Sequence, residues 1–149
     1  MRFASLGSGS RGNAALVEAD GTCVMVDCGF SMRETCRRLA VLDRVPTDLT
    51  AILVTHEHGD HVDGVLPLAR RFGIPVWMTA GTARAVGVGS DDPVRVIASG
   101  AQVELAGIEV EAVAVPHDAR EPCQYIVTVA NLKLGILTDL GSVTPHVVE

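Results

Sequence analysis

The 149-residue sequence predicts an α/β fold in which helices pack outside a pair of β-sheets. Three observations carry that expectation. Strand-length apolar runs alternate with helical apolar stripes in the first part of the chain, and β-rich patterning takes over in the second. Between them, the wholly apolar run Ala51–Val54 reads as a central strand buried on both faces.

The elements follow in order. Phe3–Leu6 and Ala14–Ala19 are strands, joined by the loop Gly7-Ser8-Gly9-Ser10-Arg11-Gly12-Asn13. Asp20-Gly21 is a hairpin turn, and Thr22–Val26 returns as a strand that Asp27-Cys28-Gly29 ends. Ser31 and Glu34 make the S-x-x-E pattern of a capping box. Met32, Cys36, Leu39 and Ala40 then recur at helical spacing, and the helix stops before Pro46. After Ala51–Val54, a second helical face comprises Val65, Leu68, Ala69 and Phe72, with Pro67 in its first turn. Pro75–Met78 is a strand, Thr82–Val86 a short helix and Asp91-Asp92-Pro93 a turn. Strands are expected at Val94–Ile97, Gln102–Leu105, Ile108–Val115, Gln124–Val129 and Lys133–Leu137, with Asn131 turning into the last. No Pro/Gly/Ser-rich linker divides the chain, so residues 1–149 read as one domain.

Composition narrows the function. Hydrophobic residues make up 48% and aromatics 3%, so the core must be built from Val, Ala, Leu and Ile. The net charge of −6 argues against a protein that coats nucleic acid, while leaving room for a local cationic site. Cys23, Cys28, Cys36 and Cys123 form no C-x-x-C pair, and Cys36 reads as a small core residue. With no signal h-region at the start, four thiols fit a reducing cytoplasm. No apolar run approaches the ~18 residues of a membrane span.

The chemistry concentrates in Thr55-His56-Glu57-His58-Gly59-Asp60-His61, an H-x-H-x-D-H cluster directly behind the buried strand. Residues two apart in extended chain point the same way, so His56 and His58 can reach one ion together. Gly59 permits a sharp turn, after which Asp60 and His61 face a second ion. Imidazole and carboxylate together suit Zn²⁺, Mn²⁺ or Fe²⁺. His117 and Asp139 each follow an expected strand. Alone, the first reads as a loop or core histidine and the second as a turn residue; beside the cluster, both become candidate ligands.

These residues resemble a known family. Thr55–His61 looks like the signature of the metallo-β-lactamase-fold hydrolases, and Val26-Asp27-Cys28-Gly29 resembles that family's first motif. The Leu6–Asn13 opening, Pro116-His117-Asp118-Ala119 with Glu121-Pro122 and Tyr125, and Thr138-Asp139-Leu140-Gly141 resemble the WalJ/YycJ-like branch, related to RNase Z and DNA-processing nucleases. The resemblance implies an αββα sandwich with two divalent ions, Zn or Mn. His56, His58 and His117 would hold one, Asp60 and His61 the other, with Asp139 bridging. Asp27 would steady a ligand by a hydrogen bond, unless it merely caps a turn. A hydroxide activated by the ion pair would hydrolyse a nucleic-acid or other phosphodiester, with Asp60 as the catalytic residue that orients it or shuttles its proton. The Gly7–Asn13 loop is either a phosphate cradle or a plain loop.

The family also carries a final metal-binding histidine in a late G-H motif, which this sequence lacks. His146 falls only seven positions after Asp139 and reads as a surface or early-helix histidine. The expectation is therefore a C-terminally incomplete sandwich, one covering layer short, whose bare apolar face favours a homo-oligomer. Thioester or lactone hydrolysis on the same fold, and an inactive remnant or assembly subunit, are the competing readings.

Overall fold

Two β-sheets carry the chain. The structure, a computed structural model, describes residues 1–148, with the His146 side chain outside that description. The first sheet contains β1 (Arg2–Gly7), β2 (Ala14–Ala19), β3 (Thr22–Val26), β4 (Ala51–Leu53), β5 (Val76–Met78) and β6 (Val94–Val96) side by side in chain order. Its first three strands are antiparallel and the rest run parallel from β3 onward. The switch has a simple cause. The two-residue turn Asp20-Gly21, both residues at positive φ, allows only an antiparallel return, whereas parallel neighbours need crossovers. The crossovers are α1 (Met32–Val41), the single turn α2 (Gly59–Val62) leading into α3 (Val65–Phe72), and α4 (Ala80–Val86). The second sheet, β7 (Gln102–Leu105), β8 (Ile108–Ala114), β9 (Cys123–Val129) and β10 (Leu132–Ile136), is an antiparallel meander ordered β10-β9-β8-β7.

Side-chain alternation builds two cores from the first sheet. Leu16, Met25, Ile52 and Met78 face the helices, where Leu39, Val65 and Leu68 meet them. Val17, Val24, Val26 and Leu53 face the second sheet and pack on Ile108, Val110, Ala112, Tyr125 and Val127. Ala51, Ile52 and Leu53 are wholly buried, as a central strand enclosed by two layers requires. The outer face of the second sheet mixes Glu104, Glu109, Thr128 and Lys133 with Val113 and Ile126, and is more polar than the expected bare apolar face. After β10 the described residues add only one helical turn, α5 (Pro145–Val148), which contains His146. Whether that side chain lies at the surface falls outside the described residues.

Two expectations are corrected. The buried face of α1 centres on Thr35 and Leu39; Ala40 is exposed and Cys36 only half-buried. The capping box is also half-formed. Ser31 Oγ accepts from Glu34 N–H at 3.4 Å, but the Glu34 carboxylate turns to Arg37 and Arg38 at 2.7 and 2.8 Å. Charge-assisted partners outcompete a backbone amide here.

The turn after β3 is stitched to the segment after β4. Cys28 N–H donates to His61 O (2.8 Å), Gly64 N–H to Cys28 O (2.8 Å) and Asn13 N–H to Asp60 O (2.7 Å). Gly64 is required by contact, because an added Cβ would overlap the Phe30 carbonyl oxygen. Gly64→Ala is expected to cost about 1–3 kcal/mol in urea unfolding, as overpacking does. Gly135→Ala, where an added Cβ meets open space, should stay within about 0.5 kcal/mol of the parent.

Candidate metal centre

The segment between β4 and α2 reaches the rim of the first sheet in extended conformation, and His58, at φ −63° and ψ 141°, ends it. His61 sits in the single turn that follows. The second sheet supplies the remaining groups: His117 from the loop after β8 and Asp139 from the segment after β10. Ligand-type atoms of His56, His58 and His117 form one group, and those of His56, His61 and Asp139 another, each with all atoms within 4.8 Å of one another. Asp60 Oδ2 lies 3.7 Å from His61 Nε2. All six candidate ligand residues named from the sequence therefore meet at one rim.

Hydrogen bonds around the histidines decide which nitrogens face inward. Thr55 Oγ1 donates its proton to Asp27 Oδ2 (2.8 Å), so His56 Nδ1–H is the donor in its 2.9 Å contact with Thr55 Oγ1. His61 Nδ1 lies 2.8 Å from the same Asp27 oxygen. His58 Nε2 lies 3.1 Å from the Asp118 carbonyl oxygen, and His117 Nδ1 lies 3.2 Å from the Asp118 carboxylate. Carbonyl and carboxylate oxygens only accept, so each contacting nitrogen carries the proton. In the neutral imidazoles, the lone pairs then lie on His56 Nε2, His58 Nδ1 and His117 Nε2, while His61, held by Asp27 at Nδ1, turns its Nε2 inward toward Asp139 Oδ2. These converge, with His58 Nδ1 3.1 Å from His56 Nε2 and 3.3 Å from His117 Nε2. Facing lone pairs repel, whereas a divalent cation among them turns that repulsion into coordination. The donor set fits such a cation.

Charge divides the cluster. Burial, aided by the neighbouring histidines, pushes the His56 pKa down to about 4, which keeps its ring neutral. Burial also works against a charged His61. There, however, the hydrogen bond that His61 donates to Asp27 and the charges of Asp27, Asp139 and Asp60 outweigh it and raise the pKa. Asp139 Oδ2 is 2.7 Å from His61 Nε2 and 3.6 Å from His56 Nε2, the histidine that the two groups share. Asp27 is 1% exposed and sits at φ 58°, a left-handed conformation uncommon for a non-glycine residue. Burial pushes its carboxyl upward, while the His61 and Thr55 hydrogen bonds oppose that shift.

Several supports have roles that the sequence did not disclose. Gln124 Oε1 accepts from Thr138 N–H at 3.0 Å, fixing the segment that presents Asp139. Tyr125 O–H donates to Val54 O (2.8 Å), tying the second sheet to the end of β4. Glu121 accepts from Gly81 N–H (2.6 Å) at the start of α4, anchoring the far end of the His117 loop. Asn13 reaches Asp60 and His61 from the loop after β1. In that loop Gly9 N–H donates to Asn13 Oδ1 (2.9 Å) and Gly12 N–H to Gly9 O (3.0 Å). Gly12, at φ +135°, lies where a Cβ would overlap the Phe30 ring. These bonds favour a tightly seated support over an open cradle of amides.

Comparison with known proteins follows the same lines. The family model described as "Metallo-beta-lactamase superfamily" matches residues 7–144. Exodeoxyribonuclease YycJ of Bacillus anthracis is 36% identical over 97% of this chain and 56% of its own length. Exodeoxyribonuclease WalJ of Streptococcus pneumoniae serotype 2 is 32% identical over the same shares of the two chains. The chain thus spans about half the length of the curated relatives it matches. The Rm3 metallo-beta-lactamase structure superposes with a TM-score of 0.73 at 20% identity, covering 97% of this chain and 65% of that one. At that identity the likeness concerns the fold.

Two outcomes test the centre itself. Asp27→Asn exchanges the carboxylate that meets His61 for a neutral amide, and zinc affinity measured calorimetrically should fall roughly 10–100-fold. In metal-free protein, NMR should show His56 still neutral well below the ordinary histidine range, taking its proton near pH 4. The unfolded chain binds that proton nearer pH 6.5. His56 therefore lowers stability as pH falls between those values, whereas His61, raised in the fold, acts oppositely.

Proposed function

The chain belongs to the metallo-beta-lactamase superfamily, and from that premise we propose that it hydrolyses phosphodiester bonds in nucleic acid with two bound divalent ions, Zn²⁺ or Mn²⁺. The observation that carries the reading is the inward convergence of three imidazole lone pairs and of His61 Nε2 beside two carboxylates. His56, His58 and His117 would hold one ion; Asp60 and His61 would hold the other, with Asp139 between. When bound, such ions supply Lewis-acid stabilisation of phosphoryl charge and acidify water near neutral pH.

The chain's own residues supply the rest. Asp60 is only partly buried, with its Oδ2 beside His61, so its carboxylate is placed to orient a water and hold its proton. Asp27 holds His61 Nδ1, and through Thr55 also His56 Nδ1, so that the Nε2 atoms of both rings face inward. Arg11 and Arg120 are exposed cations on the loops that carry Asn13 and His117, and neither forms an ion pair among the described residues. They suit the anionic backbone of a nucleic-acid strand in a chain whose net charge is −6. The exodeoxyribonuclease names of the relatives favour DNA over the thioester and lactone substrates that the fold also serves. No helix among the described residues is long and apolar enough to cross a membrane.

The test is direct. After chelation and reloading with Mn²⁺ or Zn²⁺, the protein should release nucleotides from DNA and cleave bis(p-nitrophenyl) phosphate. His58→Ala should lower turnover by at least about 100-fold, the scale on which loss of a well-placed charge-stabilising group acts. Turnover of a thioester or lactone with no phosphodiester cleavage overturns the reading.

A further inference from the structure

The loop between β1 and β2 enters the rim next to the Asp60 side of the cluster, and one of its residues is bonded more heavily than a loop asparagine needs to be. Asn13 N–H donates to Asp60 O at 2.7 Å, and its carbonyl accepts from Gly29 N–H at 3.0 Å. Its side-chain oxygen accepts from Gly9 N–H at 2.9 Å, which settles the amide orientation and turns Nδ2 toward the cluster. Nδ2 then lies 3.1 Å from Asp60 Oδ2, 3.2 Å from Asp60 O and 3.0 Å from His61 Nε2, with Gly9 O also at 3.2 Å. Asp60 Oδ2 is the carboxylate oxygen that faces His61. Among the described residues, no other side chain donates a hydrogen bond to the Asp60 carboxylate.

We infer that Asn13 is a positioning residue for the second cation: its side-chain amide sets the rotamer of Asp60 and the direction of its Oδ2, and so tunes the affinity of the Asp60–His61–Asp139 site. The inference rests on the two-ion reading above. It follows from what an amide can do beside a carboxylate. A short carboxylate side chain rotates freely unless a donor holds one oxygen, and an N–H donor to a ligating oxygen fixes its direction without competing for its remaining lone pair. Asn13 makes no hydrogen bond to the side chain of His58 or His117, so its influence falls first on the Asp60–His61 side of the rim. The neighbouring glycines serve the same end. Gly12 lets the loop press against the Phe30 ring, which Arg38 covers from 4.1 Å, so Asn13 projects from a seated loop.

Calorimetric titration of the metal-free protein with Mn²⁺ and with Zn²⁺ tests this, with the cobalt-substituted visible spectrum as a second readout. The wild type should bind two ions. Asn13→Ala should weaken the second by roughly 10–100-fold and leave the first within about threefold, the range seen when a ligand's hydrogen-bond partner is removed. The cobalt bands of the second site alone should change. Asn13→Ser, which keeps a polar group near Gly9 but cannot reach Asp60 Oδ2, should behave as the alanine variant does and stands in for it should that variant not fold. A purely structural role would lower the metal-free melting temperature and leave the second-ion affinity of folded protein unchanged; that result overturns the inference. Two ions in the wild type with both affinities unaltered in the variants overturn the inference alone, whereas a single ion in the wild type overturns the two-ion reading with it.

Discussion

The buried carboxylate of Asp27 is the constraint on which the rim depends. It accepts from Thr55 N–H and Thr55 Oγ1–H and meets His61 Nδ1, so three groups on two residues of the segment after β4 are oriented by one side chain at the end of β3. A carboxylate so far from solvent is costly, and its positive φ adds backbone strain. Both costs are offset only because its oxygens are bonded. The result is polarity of a particular kind: Asp27 draws imidazole protons outward, and Thr55 passes that demand to His56.

The pairing of β3 with β4 explains why this works. Parallel neighbours in register bring Val26 beside Leu53, so the residues leaving the two strands emerge side by side at the same end of the sheet. Asp27 N–H bonds to Leu53 O, and the two outgoing segments then cross-bond through Cys28, His61 and Gly64. The rim is thus a consequence of strand direction: both chains are released from the sheet at the position where polar residues can converge.

Most of the fold was legible because its patterns are local. Asp20-Gly21, the alternation in β8 and the solid apolar β4 each declare their conformation within a few residues. The errors arose where neighbours outside the window intervened. Thr35 is buried in α1 because its hydroxyl has partners in Cys28 Sγ and Ser31 O, which periodicity of apolar residues cannot register. Glu34 abandons its cap for two arginines on the same helix. At the rim, the H-x-H-x-D-H spacing pointed to its own residues plainly; strand-end positions made His117 and Asp139 candidates, and the family resemblance gave them their roles. Asn13 and Glu121 lay within motifs behind the family resemblance, but their bonds stayed hidden, and Gln124 was not singled out. Their roles lie in bonds to residues 40 or more positions away, or to a backbone amide, and an isolated amide or carboxylate has no spacing to read.

The donors at the rim belong to different layers: His56, His58, Asp60 and His61 issue from the first sheet, His117 and Asp139 from the second. The gap between them is therefore set by the side chains stacked between the sheets, from Val26 and Leu53 on one side to Ala112 and Tyr125 on the other. The dry interior functions as a gauge block. Widening it by a single methylene at Ala112, a position that contributes no donor to the rim, would spread the two sets of donors, so that in this architecture interior volume is itself a chemical variable.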